Sequence, residues 1–252
     1  MIFSIFNHKG GTGKTTTTIN LGYAVAQLGY KVLLIDFDLQ ANLSYTLGAR
    51  GIQSLESVLE AGDDLFDYML TDDNLSLLPN TRVDLNQGHH LSSSFLLANA
   101  LPSLRDHFDF IFIDCPPTIS DHTVNALCAS DYVLVPFQLE VLCVQGLNQV
   151  ITSVSQIKEA YGSGPEIFGV VPVMVDIRRS LSTEIYQHIK TRYEIDIFNS
   201  YVRTNVKVAE APSFGKSVIQ YAPFSAGSMD YTTVAQEFIQ KVEQKSLTPV
   251  AG

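Results

Sequence analysis

A glycine-rich segment near the start of the chain carries the residue types best suited to chemistry. Residues 6–16 read FNHKGGTGKTT. Glycine adopts backbone angles that turn successive N–H groups toward an anion, and it keeps side chains clear of that anion. The side chain of Lys14 can reach the β- and γ-phosphates of a nucleotide, and the Thr15 hydroxyl can ligate Mg²⁺. The predicted phosphate-binding residues are Gly10, Gly11, Thr12, Gly13, Lys14, Thr15 and Thr16.

Two apolar segments end in acidic residues that could complete such a site. Residues 31–35 lead into Asp36 and Asp38, and residues 108–113 lead into Asp114. Because the carboxyl ends of parallel strands meet at one edge of a sheet, these acids are expected beside the glycine-rich segment. Mg²⁺ takes one or two carboxylates together with phosphate oxygens, so Asp114 is predicted to anchor the metal. Asp38 is predicted to lie at the metal and to orient or deprotonate the attacking water, whereas the side chain of Asp36 alternates away and is expected to be structural.

Strand and helix patterns alternate along the chain, which predicts an α/β fold with a doubly wound, mostly parallel sheet flanked by helices. The first strand covers residues 1–6, and a helix follows over residues 14–28. The chain is expected to form a single domain over residues 1–252. Its closing helix is predicted over residues 231–244, and residues 245–252 are expected to be a frayed tail.

Three extended segments are predicted in the C-terminal part of the chain. A strand over residues 167–175 is expected to be broken at Pro172, because proline has no amide hydrogen to donate to a sheet. Residues 202–208 are predicted to contain a strand or an extended loop, and residues 218–221 a further short extended piece.

Composition limits the classes of protein that fit. The chain has 252 residues, of which 46% are hydrophobic and 17% charged, and its net charge is −10. This charge excludes a strongly basic DNA-binding domain but leaves room for a local basic patch. The three cysteines form no C-x-x-C pair, which argues for a reducing cytoplasm and against a disulfide framework or a zinc site. No stretch is long and apolar enough to span a bilayer, and the N-terminus lacks the basic start of a signal peptide.

Five segments together resemble the ParA/Soj/MinD family of deviant-Walker ATPases, which are P-loop NTPases, and are most similar to its Soj-like partition proteins. The segments are KGGTGKTT, LLIDFDLQAN, FIDCPP, VLVPFQLE and NVKVAEAPSFGK, the last at residues 205–216. They cover nearly the whole chain. The chain departs from the family's D-x-D-P-Q motif where Leu39 replaces the proline, whereas Asp38 and Gln40 match.

The resemblance implies a nucleotide site shared by two subunits. Lys9 is similar to the family's signature lysine, which reaches across an ATP-bound sandwich homodimer to the phosphates of the other subunit. Asp38 matches the catalytic aspartate and Asp114 the aspartate linked to Mg²⁺. No N-K-x-D motif for guanine is found, so ATP is the expected nucleotide. The residues implied to act in hydrolysis are Lys9, Lys14 and Asp38, and those implied to contact adenine are Met174, Arg203, Asn205 and Ala211.

The resemblance also implies that the ATP-bound dimer binds DNA without sequence preference. Residues 176–216 contain seven of the 16 lysines and arginines, and a basic face binds phosphates with strong salt dependence. Five acids share this interval, so scattered solvated charges remain an alternative to a basic face. The implied DNA-contact residues are Arg178, Arg179, Arg203 and Lys207.

The function implied by the resemblance is an ATP-dependent switch that uses nucleoid DNA to position or segregate a cargo. The cargo could be a plasmid, a chromosome or a protein organelle such as a carboxysome. Slow hydrolysis would be stimulated by a ParB-like or small adaptor protein, and the protein would be cytoplasmic and nucleoid-associated.

Two alternatives stay open at this point. A MinD-like ATPase on a membrane surface requires a basic amphipathic C-terminal helix, but the last predicted helix mixes lysines with glutamates, so no membrane partner is expected. An ATP-dependent metabolic enzyme or an iron–sulfur reductase shares the same first motif. In the reductase, Cys128 or Cys143 would bridge a cluster between subunits.

Overall fold

The centre of the molecule is one β-sheet. The structure is a computed structural model that describes residues 1–49, 53–82, 91–140, 143–162, 164–176, 178 and 180–247. The strands in these residues are β1 (Ile2–Ile5), β2 (Val32–Asp36), β3 (Leu70–Asp72), β4 (Leu75–Leu78), β5 (Phe110–Asp114), β6 (Tyr132–Gln138) and β7 (Glu166–Val173). Their order across the sheet is β3-β4-β2-β5-β1-β6-β7. Every neighbouring pair is parallel except β3 and β4, which confirms the predicted mostly parallel sheet.

Helices cover both faces of this sheet. They are α1 (Lys14–Gln27), α2 (Asn42–Thr46), α3 (Leu55–Ala61), α4 (Leu96–Ala100), α5 (Pro102–Arg105), α6 (Asp121–Ala129), α7 (Cys143–Tyr161), α8 (Ser180–Arg192), α9 (Val206–Glu210), α10 (Val218–Tyr221) and α11 (Ala226–Leu247), with short 3-10 helices at Leu65–Tyr68 and Ala211–Phe214. One hydrophobic core joins the sheet to α1, α2, α10 and α11, and the other joins it to the helices from α3 to α8. The fold is therefore doubly wound, as predicted.

The unbroken apolar runs of the sequence follow from this two-sided burial. In β2, Leu33 and Ile35 belong to one core, whereas Val32 and Leu34 belong to the core on the opposite face. A strand covered on both faces needs apolar residues at every position rather than at alternate positions. The parallel central strands could for this reason be located from sequence.

The prediction that Pro172 breaks a strand is wrong, because β7 runs through this residue. Val170, two residues earlier, donates its amide hydrogen to the carbonyl of Asp196 at 2.8 Å, on the side of β7 away from β6. The missing amide hydrogen of Pro172 falls on that same outer side. The Pro172 carbonyl still accepts a hydrogen bond from the amide of Val202 at 2.9 Å, so the edge position tolerates proline.

Two predicted extended segments are helical instead. Asn205 is the N-cap residue of α9, and its side chain accepts a hydrogen bond from the amide of Lys207 at 2.8 Å. Ser217 and Gln220 form a capping box at the start of α10. Such caps satisfy backbone donors at a helix start and so stabilise even short helices. Of residues 202–208, only the part around Arg203 is extended, and Arg203 forms an isolated parallel bridge with Val175.

The strand β3 was not predicted from the sequence, and the closing helix is longer than predicted. Asp73 and Asn74 join β3 to β4 in a tight hairpin, and Asp73 has a left-handed φ of 47°. The last helix, α11, extends through Leu247, so residues 245–247 of the expected tail are helical, and residues 248–252 lie outside the described residues. Within the described parts of the chain, no helix combines the length and apolarity that crossing a membrane requires.

Candidate functional site

The glycine-rich loop connects the carboxyl end of β1 to the start of α1. Gly11 and Gly13 have φ angles of 74° and 80°, in the left-handed region where a residue with a side chain would be strained. Gly13 is the N-cap residue of α1, and it has no side chain with which to cap the helix. The first N–H groups of α1 and the positive end of its dipole therefore remain available at the loop, which is a common anion-binding arrangement.

The other loop residues stabilise this shape. Thr12 is buried, and its Oγ1 atom donates a hydrogen bond to the carbonyl of Lys9 at 3.1 Å. Gly10 is exposed, and the Thr16 carbonyl accepts a hydrogen bond from the side chain of Asn20 at 2.7 Å. The loop is thus closed by its own polar groups on one side and open to solvent on the other.

Lys14 holds its ammonium group over the loop. Its Nζ atom donates hydrogen bonds to the carbonyl oxygens of Asn7 at 3.1 Å and Lys9 at 3.2 Å. Burial lowers the pKa of Lys14, and the carboxylates of Asp114 and Asp38 act in the opposite direction. A positive charge in such a partly dehydrated position attracts a phosphate more strongly than the same charge in bulk water.

Thr15 and Asp114 form the central contact of the site. The Thr15 Oγ1 atom donates a hydrogen bond to Asp114 Oδ2 at 2.7 Å, and the hydroxyl of Thr18 lies 3.4 Å from Asp114 Oδ1. Asp114 is completely buried. Burial raises the pKa of Asp114 well above its usual range, and the charge of Asp36 raises it further. This carboxyl group would therefore gain from a nearby cation.

Asp36 lies beside Asp114 in the sheet register but faces a different partner. Its Oδ2 atom accepts hydrogen bonds from the amide of Ser44 at 2.7 Å and from the Ser44 hydroxyl at 2.6 Å. Burial raises the pKa of Asp36 to about 6. Asp36 thus joins the end of β2 to α2, in agreement with a structural role.

Asp38 begins a tight turn beyond the end of β2. Its carbonyl accepts a hydrogen bond from the amide of Ala41 at 2.8 Å, and its Oδ1 atom accepts one from the amide of Gln40 at 3.1 Å. Ala41 has a left-handed φ of 50°, which is uncommon for a residue with a side chain. Leu39, which replaces the family proline, is the second residue of this turn. The turn therefore forms without proline and still holds Asp38 in a buried position.

The donor set at this edge of the sheet fits a magnesium ion. A threonine hydroxyl and a carboxylate are hard oxygen ligands, and Mg²⁺ usually combines one or two carboxylates with phosphate and water. Among the described residues, no group of three or more His, Cys, Asp or Glu side chains is arranged to hold a metal without other ligands. The residues Thr15, Asp38 and Asp114 therefore suit a metal that arrives with phosphate groups.

The side chain of Lys9 lies on the surface, although its backbone carbonyl belongs to the phosphate loop and accepts hydrogen bonds from Thr12 and Lys14. The Lys9 Nζ atom is 3.2 Å from Glu140 Oε2, and both side chains are 53% exposed. An ion pair this exposed contributes about 0–1 kcal/mol. The ammonium group of Lys9 can therefore leave Glu140 for another anion at little cost.

A cavity of about 640 Å³ lies beside the phosphate loop, and both Met174 and Arg203 line it. Met174 has a left-handed φ of 53°. Its Cε atom lies 3.4 Å from the point where a Cβ atom on Gly13 would be, which is ordinary van der Waals contact, so Met174 packs directly beside the loop. The cavity has the position expected of a pocket for the base of a bound nucleotide.

Gln138, which was not among the residues predicted for the site, also lines this cavity. Its Nε2 atom donates hydrogen bonds to Met174 Sδ at 2.7 Å and to the Gly11 carbonyl at 3.5 Å. A signal was available, because Gln138 is the last residue of β6, where ligands bind in parallel sheets. The structure does not bring the other two predicted adenine residues to the cavity. Asn205 caps α9, and Ala211 is 1% exposed in the core.

The described basic residues that were predicted to contact DNA each face a carboxylate of their own chain. Arg203 Nη2 is 2.6 Å from Asp230 Oδ1, Arg178 Nε is 2.9 Å from Asp176 Oδ1, and Lys207 Nζ is 2.8 Å from Glu210 Oε2. Arg179 lies outside the described residues. These contacts reduce the local positive charge, so a nucleic acid would have to compete with the acids for each cation.

Known proteins resemble this chain in both sequence and fold. A family model described as an AAA domain matches residues 1–166. The chain is 36% identical over 251 residues to the chromosome partitioning protein ParA of Caulobacter vibrioides, covering 95% of this chain and 94% of that protein. It is 34% identical over 245 residues to the sporulation initiation inhibitor protein Soj of Bacillus subtilis, covering 94% and 97%. Among solved structures, cobyrinic acid a,c-diamide synthase of Mycobacterium smegmatis with a bound ATP analogue and magnesium has a TM-score of 0.80 and 26% identity, covering 97% of this chain and 96% of that one.

Proposed function

Because this chain belongs to the ParA/Soj family of ATPases, as its motifs predict, we propose that it is an ATP-dependent dimerising switch that positions or segregates a cargo along non-specific DNA. The observation that carries the proposal is the hydrogen bond between Thr15 and the buried Asp114. It joins a phosphate loop to a metal-binding carboxylate at the carboxyl edge of the sheet, where nucleotides bind in folds of this class.

The phosphate loop binds ATP through backbone and side-chain groups of this chain. The amides at the start of α1 donate to phosphate oxygens, and the ammonium group of Lys14 neutralises charge on the β- and γ-phosphates. The cavity beside Met174 and Gln138 accepts the adenine ring. Arg203 lines the same cavity, and its bidentate pair with Asp230 keeps the guanidinium group in one orientation.

Thr15 and Asp114 hold Mg²⁺ together with the phosphates, and Asp38 lies at the same edge. When bound, the metal neutralises charge that develops on the transferring phosphoryl group. Asp38 orients the attacking water or accepts its proton. The backbone hydrogen bond from Gln40 fixes one oxygen of this carboxylate and leaves the other available for water.

Lys9 completes the site of a second subunit rather than its own. The exposed ammonium group reaches the phosphates of the other chain in an ATP-bound homodimer, where it acts as an arginine finger does in related enzymes. A cation delivered by a second subunit makes hydrolysis depend on dimerisation. Turnover is therefore slow in the isolated chain, and a ParB-like or small adaptor protein stimulates it.

The dimer binds nucleoid DNA through Arg178, Arg179, Arg203 and Lys207 and is cytoplasmic. The relative from Caulobacter vibrioides is named as a chromosome partitioning protein, which supports DNA or a DNA-associated particle as the cargo. Since acids of the same chain compete for these cations, binding by one chain is weak. Two chains double the number of phosphate contacts, and each contact adds to the salt dependence of binding.

Retention on DNA tests this proposal. The protein is mixed with immobilised DNA of random sequence and with ATP, ADP or no nucleotide, at several salt concentrations. Retention is expected only with ATP, and it should fall steeply as salt rises. The Lys14→Ala variant, which cannot bind nucleotide, serves as the control. Equal retention without nucleotide, or by this variant with ATP, would contradict the proposal.

One observation favours a second candidate, an ATP-dependent metabolic enzyme. The fold matches the diamide synthase structure with a TM-score of 0.80. The sequence identity of 26% to that enzyme is lower than the 34% and 36% to the two partition relatives. For the iron–sulfur alternative, Cys128 is half-buried and packs against the core that joins the sheet to the helices from α3 to α8. This setting is typical of a structural cysteine. Iron and sulfide analysis of protein purified without oxygen tests that alternative.

A further inference from the structure

The edge of the sheet opposite β7 has features that the proposed function does not use. β3 is the edge strand, and among the described residues no strand lies on its outer side. All three of its residues are exposed, and Leu70 is 50% exposed. Because Asp73 and Asn74 form a two-residue turn, Asp72 and Leu75 are the hydrogen-bonded pair next to it. Thr71 then directs its N–H and C=O groups away from β4, toward solvent.

Each face of this hairpin borders a cavity. The first, of about 570 Å³, is lined by Tyr23, Leu47 and Leu77, which belong to or pack against the core under α1. The second, of about 320 Å³, is lined by Met69 and Phe108, which pack against the opposite core. The two cores lie on opposite faces of the sheet, and Thr71 lines both cavities.

This arrangement suits the addition of one more strand. A peptide paired with β3 would hydrogen-bond to the outward backbone groups of Thr71, and its successive side chains would point to opposite faces. One apolar side chain could enter the larger cavity while its neighbour turns toward the smaller one. Backbone pairing gives affinity and cavities for alternate side chains give specificity in known strand-addition sites. β3 is only three residues long, so the cavities must supply much of the binding.

The charge around this edge selects the kind of peptide. Residues 51–81 contain seven aspartates and glutamates and no lysine or arginine. Asp67, Asp72 and Asp73 are exposed, and within the described parts of the chain their carboxylates have no hydrogen-bond or ion-pair partner. Among the described residues that line the two cavities, Lys31 is the one lysine or arginine. Such a field attracts a positively charged partner and repels an acidic one.

We propose that the β3 edge docks a basic, extended peptide segment of a partner protein by strand addition. The segment has pairs of neighbouring apolar side chains, one for each cavity, and the pairs are separated by cationic side chains that lie near Asp67, Asp72 and Asp73. This inference goes beyond the proposed function and does not depend on it, since the edge contains none of the nucleotide-site residues. Its failure would leave the ATPase assignment untouched.

The experiment uses the full chain and a fluorescein-labelled, end-blocked nine-residue peptide in which lysines flank and separate two Val-Val pairs, with binding followed by fluorescence anisotropy. The same peptide with every second backbone amide N-methylated keeps its charge and side chains but loses donors for strand pairing. We expect the N-methylated peptide to bind at least about tenfold more weakly, a loss of about 1.4 kcal/mol. Equal binding of the two peptides would overturn strand addition.

Two triple variants with the same change in charge test the position. The first carries Asp67→Asn, Asp72→Asn and Asp73→Asn, and the second carries Glu159→Gln, Glu194→Gln and Glu243→Gln, at exposed positions elsewhere. The first is expected to lose peptide affinity by at least about tenfold, and the second to remain close to the wild type. Equal losses would show attraction by net charge alone and would overturn the docking site. Thermal unfolding of each variant verifies that the fold is intact.

Discussion

The hydroxyl of Thr15 donates a hydrogen bond to the carboxylate of Asp114 across 2.7 Å, and this contact joins the first turn of α1 to the end of β5. The Thr15 hydroxyl can ligate a metal ion and the Asp114 carboxylate can anchor it, so the two side chains form one site. Burial raises the pKa of Asp114 well above its usual range, whereas the hydrogen bond from Thr15 and the charge of Lys14 act in the opposite direction, so a bound cation would favour the ionised form further.

Replacing Asp114 by asparagine is therefore expected to remove the dependence of hydrolysis on magnesium together with most of the activity. Loss of one such electrostatic contact typically lowers the rate by about 100-fold or more. Phosphate release measured against magnesium concentration checks this. Thr15→Ser keeps the hydroxyl and is the matched control, expected to stay near the wild-type rate. Wild-type magnesium dependence in Asp114→Asn would refute the assignment.

Asp38→Ala is expected to separate nucleotide binding from hydrolysis. The side chain hydrogen-bonds to the amide of Gln40 and makes no hydrogen bond to the glycine-rich loop within the described residues, so ATP binding and dimerisation should persist. Turnover should fall to background because no other predicted residue orients the water. Binding of a fluorescent ATP analogue and phosphate release are measured on the same sample. An undiminished rate would exclude Asp38 as the hydrolytic residue.

Lys9→Ala is expected to prevent the ATP-dependent dimer while leaving the monomer folded. The pair with Glu140 is 53% exposed on both sides, so its loss costs about 0–1 kcal/mol of stability. Sedimentation with ATP and magnesium measures the dimer. Glu140→Gln frees Lys9 within the same chain and is expected to dimerise at least as well as the wild type. If Lys9→Ala forms the dimer normally and hydrolyses ATP, the cross-subunit role is wrong.

The loop and the central strands could be predicted because their signals are local. Glycines followed by Lys14 and Thr15, and apolar runs ending in Asp36 and Asp114, specify their own conformation through backbone freedom and two-sided burial. Three of the five segments that carry the family resemblance contain these residues. What the sequence did not reveal depends on contacts between distant positions, such as the pair between Arg203 and Asp230.

The predictions for short elements near the surface were wrong for a different reason. The helices α9 and α10 have only five and four residues, so no periodic pattern can develop. Their capping side chains, Asn205 and Ser217, decide the outcome, and such side chains are equally common in turns. Likewise, an edge strand tolerates proline where the missing amide hydrogen would point away from the neighbouring strand, but not where it would point toward that strand. For Pro172 this direction is known only once β6 and β7 are paired.

Leu39→Pro is expected to stabilise the folded chain. Leu39 is the second residue of the turn that the amide of Ala41 closes on the carbonyl of Asp38, and proline is favoured at this position. It reduces the freedom of the unfolded chain, and such replacements stabilise by about 0.4–1 kcal/mol. Denaturant unfolding measures the gain. Leu39→Ala, which lacks the ring, serves as the control and should show no gain.

Asp36→Asn is expected to change how stability depends on pH. Burial raises the pKa of Asp36 from 3.8 to about 6 in the folded chain. Between these values the folded state binds more protons than the unfolded state, so the free energy of unfolding of the wild type falls as pH rises. The fall, relative to Asp36→Asn, should reach about 3 kcal/mol above pH 7.

The amide of the asparagine mimics the protonated carboxyl group and can still accept a hydrogen bond from Ser44. The variant therefore removes the pH-dependent contribution of Asp36 to stability and keeps this hydrogen bond. Urea unfolding of both proteins at several pH values, without nucleotide or metal, gives the difference directly. A constant difference from pH 4 to pH 7 would mean that Asp36 titrates as an ordinary exposed carboxylate. A difference that grows with pH would instead show that the link between β2 and α2 depends on the protonation of this group.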